Sequence, residues 1–245
     1  MKKIVFLAEL GIKIVLRLVF GFINGGESCI ICGKRTFFYP VCKTCRIARL
    51  TPDLQAPRCQ ICGKILLSTK DTCFKCREKP VIASLDMVIP LFSYRIWNKE
   101  LMFMWKSQEI RSLSLLFAGI LNRVLKQQEV EFIVPVPPRK GKIQEKGWDQ
   151  IDELCNLLEF IYGFKILRLL ERSTTLEQKK LGREGRLEQI GKAYHLKSYG
   201  KSYPNKVYIL DDVCTTGSTL ESCARILKEE AKIPVVNAVT LFTVD

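Results

Sequence analysis

The sequence predicts an α/β fold, a mostly parallel sheet flanked by helices, with a small cysteine-rich module in front of it. Three observations carry that prediction. Val207–Leu210 and Phe132–Pro137 are near-continuous apolar runs, the pattern of strands covered on both faces of a parallel sheet. Segments with helical apolar spacing lie between and after those runs, as crossover helices do. Eight of the eleven cysteines fall between Cys29 and Cys76, in a stretch too poor in large apolar side chains to build a core alone. At 245 residues the chain can hold one full α/β domain and a small appendage. Composition divides it into 1–26, 27–80 and 84–245.

The net charge of +14 points to polyanionic partners, such as nucleic acid, an anionic membrane face or phosphate-rich ligands. Residues 1–80 carry 15 Lys and Arg against 5 Asp and Glu; the other 165 carry 24 against 20. The basic excess therefore belongs mainly to the N-terminal third.

Residues 3–22 are largely apolar after a basic start, which raises a signal peptide or a membrane-spanning helix. Glu9, Lys13 and Arg17 recur every four residues along one helical face, and no small-residue cleavage site follows. An amphipathic helix packed on the protein body is expected instead, with a partner or a membrane surface as the other occupants of its apolar side. No transmembrane segment is expected, and the expected location is cytoplasmic, or peripheral to the inner membrane face.

Cys29-Ile30-Ile31-Cys32-Gly33 and Cys59-Gln60-Ile61-Cys62-Gly63 are near copies, each followed by a second pair, Cys42/Cys45 and Cys73/Cys76. Such an internal repeat predicts two modules of one kind. Eight soft thiolates with no histidine nearby favour Zn²⁺ over Mg²⁺ or Ca²⁺, as two structural Cys₄ sites. An iron–sulfur cluster and redox-active pairs are the weaker alternatives. Zinc would also fold the module, since a structural site supplies about 10–16 kcal/mol. The spacing leaves open whether neighbouring pairs share a metal or interleave; adjacent sharing is the simpler expectation. Around the cysteines, Lys34, Arg35, Lys43, Arg46, Arg49, Arg58 and Lys64 alternate with Phe37, Phe38, Tyr39 and Phe74. Single-stranded nucleic acid needs cations along its phosphates and rings under its bases. A solvated basic surface, with the aromatics packing the ribbon, explains the pattern equally well.

Glu78-Lys79-Pro80 reads as a linker, Leu85–Phe92 as a strand, Leu101–Trp105 as part of a helix, and Ser112–Lys126 as a helix with Leu113, Leu116, Phe117, Ile120, Leu121 and Val124 inside. The Phe132–Pro137 strand ends in Pro138-Arg139-Lys140-Gly141-Lys142, a basic loop suited to an anion, with Arg139 and Lys140 as candidates. A helix opens near Lys146-Gly147-Trp148-Asp149-Gln150. Leu170–Leu196 is polar and basic, and its Lys179 and Arg183 are candidates for a flap closing over a phosphate ligand. His195, the one histidine, follows Tyr194 in an apolar-flanked run and is expected to pack.

Val207–Leu210 leads into Asp211-Asp212, then Thr215, Thr216, Gly217, Ser218 and Thr219, then an amphipathic segment with Leu220, Cys223, Ala224 and Leu227 on one face. Strand, small-residue loop and helix N-terminus together make a phosphate cradle, because unpaired first-turn N–H groups and the helix dipole favour an anion. Asp211 and Asp212, the catalytic candidates, can accept from sugar hydroxyls and seat a hydrated Mg²⁺. No P-loop pattern occurs.

This stretch resembles the 5-phosphoribosyl-1-pyrophosphate (PRPP) signature of type I phosphoribosyltransferases. The resemblance implies a type I phosphoribosyltransferase fold, with the acids on the ribose hydroxyls, Thr215–Thr219 on the 5′-phosphate and the Arg139–Lys140 loop on pyrophosphate. Taken with the tandem C-x-x-C pairs, V-P-V-P-x-R, K-G-W-D-Q and Q-K-x-L-x-R, the whole chain resembles the ComF family of competence-associated phosphoribosyltransferase-like proteins. Lys146–Gln150 stands where that family usually has R-G-F-N-Q. The resemblance implies handling of single-stranded DNA in natural transformation, with PRPP–Mg²⁺ or a related ligand and with competence or DNA-processing proteins as partners. Two functions stay open: a binder of nucleic acid and PRPP, or a working phosphoribosyltransferase whose acceptor no segment identifies.

Overall fold

The computed structural model describes residues 2–23, 25–37, 39–68, 70–139, 141–172 and 193–244. The Lys140, Lys179 and Arg183 expectations lie outside the described residues. The element order is α1 (Lys2–Ile23), β1 (Glu27–Ser28), β2 (Arg35–Thr36), α2 (Lys43–Arg49), α3 (Phe74–Glu78), β3 (Met87–Ser93), α4 (Ile96–Lys106) and α5 (Ser112–Gln127). There follow β4 (Phe132–Pro135), α6 (Lys142–Lys146), α7 (Gln150–Phe160), β5 (Lys165–Ile166), β6 (Leu170–Arg172), β7 (Tyr194–Leu196), β8 (Lys206–Cys214), α8 (Ser218–Glu229) and β9 (Val235–Thr243).

Five strands form one parallel sheet in the order β3-β9-β8-β4-β5, so the acid-bearing strand β8 is central. The alternation of strand side chains explains why β8 is apolar on both faces. Tyr208 and Leu210 join the core beneath α4, α5 and α7, while Val207 and Ile209 join the core beneath α8. The predicted α/β architecture, a parallel sheet between helical layers, is the one observed.

The cysteine modules straddle the sheet. Cys29, Val41, Cys42, Cys45 and Leu50 of the first are continuous with the α5–α7 core, whereas Ile61 and Cys62 of the second pack on the α8 side. Gly63 fixes that second contact. Its φ is +69°, and a Cβ there would stand 1.9 Å from the Val88 carbonyl oxygen, so only glycine lets the knuckle meet β3. Arg58 adds a clamp, donating from Nη1 to the Gly63 and Pro90 carbonyls at 2.9 and 2.8 Å.

One reading needs correction, that of His195. The ends of Leu170–Leu196 pair as the antiparallel strands β6 and β7, with Glu171 opposite His195, while the expected flap lies outside the described residues. His195 is exposed there, because Tyr194 takes the inward position of the alternation. The N-terminal helix packs on the body through its narrow side. Phe6 and Leu10 touch the core, with the Phe6 and Phe160 rings 5.1 Å apart, and Arg17 pairs with Glu27. Ile4, Val15, Leu18, Val19, Phe20 and Phe22 remain exposed. The body beside this helix carries Arg111, Asp152 and Glu153, which suit the charged side of the helix better than its apolar arc. Among the described residues, no helix is long and apolar enough to cross a membrane.

Candidate functional site

The eight cysteines gather into two groups of four, Cys29/Cys32/Cys42/Cys45 and Cys59/Cys62/Cys73/Cys76, with all ligand atoms of each group within 4.8 Å of one another. Adjacent pairs share a site; the sites do not interleave. The two groups are built alike. Backbone N–H groups of Cys42 and Cys73 donate to the sulfurs of Cys29 and Cys59, each at 3.3 Å. Gly33 and Gly63 close the knuckles by donating to the Cys29 and Cys59 carbonyls at 2.8 Å. Sulfur–sulfur distances of 3.7 Å (Cys32–Cys42) and 3.8 Å (Cys62–Cys73) match the roughly 3.8 Å edge of a ZnS₄ tetrahedron with Zn–S near 2.3 Å. Burial opposes the Cys29 thiolate, yet the N–H groups of Cys42, Ile31 and Cys32 outweigh it and bring the thiol down to about 6. Burial and the neighbouring thiols push Cys45 up to about 12. Four thiols this close ionise together only around a cation, and two Zn²⁺ ions fit the donor set.

The second constellation lies at the carboxyl ends of the central strands. Asp212, nearly buried, is held by Lys106 Nζ from α4 at 2.6 Å and by Gln150 Nε2 from α7 at 3.0 Å. Lys142 Nζ donates to Gln150 Oε1 and Asp149 Oδ2, both at 2.6 Å. Asp149 in turn caps α7, its Oδ1 accepting from the N–H groups of Ile151 and Asp152 at 3.0 Å. The K-G-W-D-Q stretch thus aims Gln150 at the acid pair. Asp211 accepts from the Asp212 N–H at 2.8 Å. Burial first, and then the Asp212 charge, push its carboxyl up to about 8. One acid is therefore charge-compensated and the other carries a proton near neutrality.

Beyond the acids β8 continues through Cys214, and the Thr215–Gly217 turn then leads into α8. Gly217 stands at the N-cap with φ +87°, where a Cβ would sit 2.6 Å from Ile82 Cδ1. Thr216 Oγ1 lies 2.9 Å from Ser218 Oγ and accepts from the Ser218 N–H at 3.3 Å. The loop is thus preshaped, with hydroxyls and helix-start N–H groups together. Glu221, one turn into α8, accepts from the N–H groups of Ala83 and Ser84 at 2.8 and 2.9 Å, which ties the 79–86 segment over the loop.

The structure brings Asp211, Asp212 and Thr215–Thr219 together at one strand end, with β4 alongside β8. Arg139, in the loop after β4, is exposed and paired with Glu145 of α6. Lys106, Lys142 and Gln150 were missed by sequence reasoning. Gln150 had a signal, as the last residue of a motif already singled out; Lys106 had only its place at a helix end. In the ribbon, Arg46 lies 4.5 Å from the Tyr39 ring centroid and Arg49 lies 5.3 Å from that of Trp97. Phe37 and Phe74 are exposed.

Known proteins share this chain across most of its length. It is 28% identical over 176 residues to competence protein ComFC of Streptococcus pneumoniae, covering 70% of this chain and 74% of the relative. It is 24% identical over 219 residues to competence protein ComFC of Bacillus subtilis, covering 88% and 78%. Competence protein F of Haemophilus influenzae is 25% identical over 187 residues, covering 71% and 79%. These three matches to competence proteins named ComFC or F support a likeness to the ComF family over most of the chain. No family model matches the chain. The chain pairs two Cys₄ groups with a parallel-sheet body, and the match to the Bacillus relative is long enough to include residues of both.

Proposed function

We propose that this ComF-like protein binds a 5-phosphoribosyl ligand, PRPP or a related phosphorylated ribose, together with single-stranded DNA, and serves DNA uptake in natural transformation. The observation that carries the ligand reading is the run from central strand through an acid pair into a preshaped hydroxyl loop at the α8 N-terminus. Thr215–Thr219 would hold the 5′-phosphate, and Asp211 and Asp212 the ribose hydroxyls. A Mg²⁺ ion arriving with PRPP would sit on the Asp211 side, since Lys106 and Gln150 already occupy Asp212. Arg139 would leave Glu145 for pyrophosphate. The names of the relatives support the competence role. The +14 charge supports the nucleic-acid partner, as do the Arg–aromatic stacks of the ribbon. In this reading residues 27–80 form the zinc-held module, residues 84–245 the ligand-binding one, and zinc is structural.

Asp211 favours a second reading. A carboxyl raised to about 8 beside a phosphate loop suits general acid–base work, so a transferase moving ribose 5-phosphate from PRPP to a base or amine is the alternative. Calorimetric titration with PRPP–Mg²⁺, followed by pyrophosphate release across a panel of bases, separates the two. Binding without release fits the binder; turnover with any base establishes the enzyme; no binding of PRPP or ribose 5-phosphate overturns both.

A further inference from the structure

The phosphate loop has a second side. Away from the acid pair, Cys214, Thr215 and Thr216 form one wall of a cleft of about 310 Å³. Its opposite wall is the second Cys₄ module, with Lys64, Lys75 and Lys79 lining it and Glu78 as the one acid. A volume of this order is that of a small-ligand cleft, about 300–1,000 Å³. Asp212 meanwhile faces α4 and α7 through Lys106 and Gln150. The loop therefore stands between a site for sugar hydroxyls and a cationic cleft.

A free ribose 5-phosphate would leave that cleft without purpose, because its phosphate ends in the loop. A ligand using both sides has free hydroxyls on its sugar, a phosphate in the loop and further anionic groups attached beyond that phosphate. The terminal nucleotide at the 3′ end of a nucleic-acid strand has this chemistry. Its 3′-hydroxyl is free, its 5′-phosphate is a diester, and each upstream nucleotide brings another negative charge.

We propose that the loop and the cleft together capture the 3′-hydroxyl end of a single strand. The inference rests on the phosphoribosyl reading of the loop. Thr215–Thr219 hold the last phosphodiester, Asp211 and Asp212 accept from the terminal hydroxyl, and the upstream strand leaves past Lys64, Lys75 and Lys79. The two modules then share one ligand, and the 79–86 segment pinned by Glu221 keeps them in register. A nucleoside diphosphate also places a phosphate beyond the 5′ position, but it would use only the first cation of the row.

The test uses the full zinc-loaded chain and 5′-fluorescein-labelled 12-mers of dT ending in either a 3′-hydroxyl or a 3′-phosphate, followed by fluorescence anisotropy at fixed salt. The hydroxyl-ended strand should bind about tenfold tighter or more, since a 3′-phosphate replaces a donor with a like charge facing the acids. PRPP should displace it, and a 12-mer of U with two terminal hydroxyls should bind tighter still. Lys75→Glu with Lys79→Glu should weaken the strand about tenfold and leave ribose 5-phosphate binding within twofold, at unchanged zinc content. Equal affinity for the two 3′ ends, while ribose 5-phosphate still binds, overturns the proposal and spares the loop reading. Displacement by ADP as effective as by an unlabelled strand overturns it as well. Failure of ribose 5-phosphate to bind brings down the loop reading and the proposal together.

Discussion

Asp211 links the site to pH. Its unfolded carboxyl ionises near the ordinary ~3.9, and its folded one near about 8. Unfolding therefore releases a proton between those values, and the stability contributed by this group falls as pH rises from about 4 to 8. Asp211→Asn retains an oxygen for the Asp212 N–H and removes that slope. The variant should match the parent below about pH 4 and be more stable by roughly 1–3 kcal/mol at pH 8. Urea melts across that interval read the result, and parallel curves would refute it. Ligand binding should run the other way. A ligand–Mg²⁺ complex prefers the ionised acid, so its affinity for the parent should rise between pH 6 and 8.

Lys106 has the complementary role. Its ammonium holds Asp212 at 2.6 Å, with a third of the lysine side chain still solvated. Lys106→Met leaves the Asp212 carboxylate without its cation, at a cost of about 1–3 kcal/mol, below the full figure for a buried pair because of that exposure. Adding Asp212→Asn should return most of the loss. A double-mutant cycle in chemical denaturation measures it, and additive effects would mean the pair is not coupled.

At the scale of elements, the cysteine modules and the β8–loop–α8 unit were legible because each is written locally. Cys₄ knuckles need C-x-x-C-G, and a buried strand feeding a small-residue turn at a helix start needs an apolar run, acids and small residues in sequence. What the pattern did not carry was tertiary. Lys106 and Gln150 reach Asp212 from two different helices, and no local spacing records that meeting. The β6–β7 pairing was hidden for a similar reason, since two three-residue strands stand on either side of a long polar insert.

The second module is locked to β3 by shape as well as by its own Cys₄ fold. Metal analysis of protein purified without chelator should give two zinc per chain. Gly63→Ala should destabilise by more than about 2 kcal/mol, because both its positive φ and its contact with Val88 are forbidden to alanine. Cys59→Ser should loosen the same contact and reach the Thr215–Thr219 loop, since Ile82, in the segment joining that module to β3, packs on Gly217. Weaker ribose 5-phosphate binding in Cys59→Ser than in Cys29→Ser would check that path.

For the molecule as a whole, a parallel sheet between helical layers was predictable from composition and period, but its orientation toward its surroundings was not. The sequence predicted an amphipathic α1 packed on the body and left open which of its sides makes the contact. Phe6, Leu10 and Arg17 lie against the body, and a run of Ile, Val, Leu and Phe faces outward. That face has a plain colloidal consequence. A helix of 22 residues makes a strip about 33 Å long, and apolar patches on that scale govern how a protein behaves in bulk. Retention on a phenyl resin should therefore be high despite the charge of +14. Val15→Glu with Val19→Glu should shorten it and raise the concentration at which light scattering stays flat, with little change in melting temperature. Under a tenth of the chain would then decide which fraction of a lysate the protein enters.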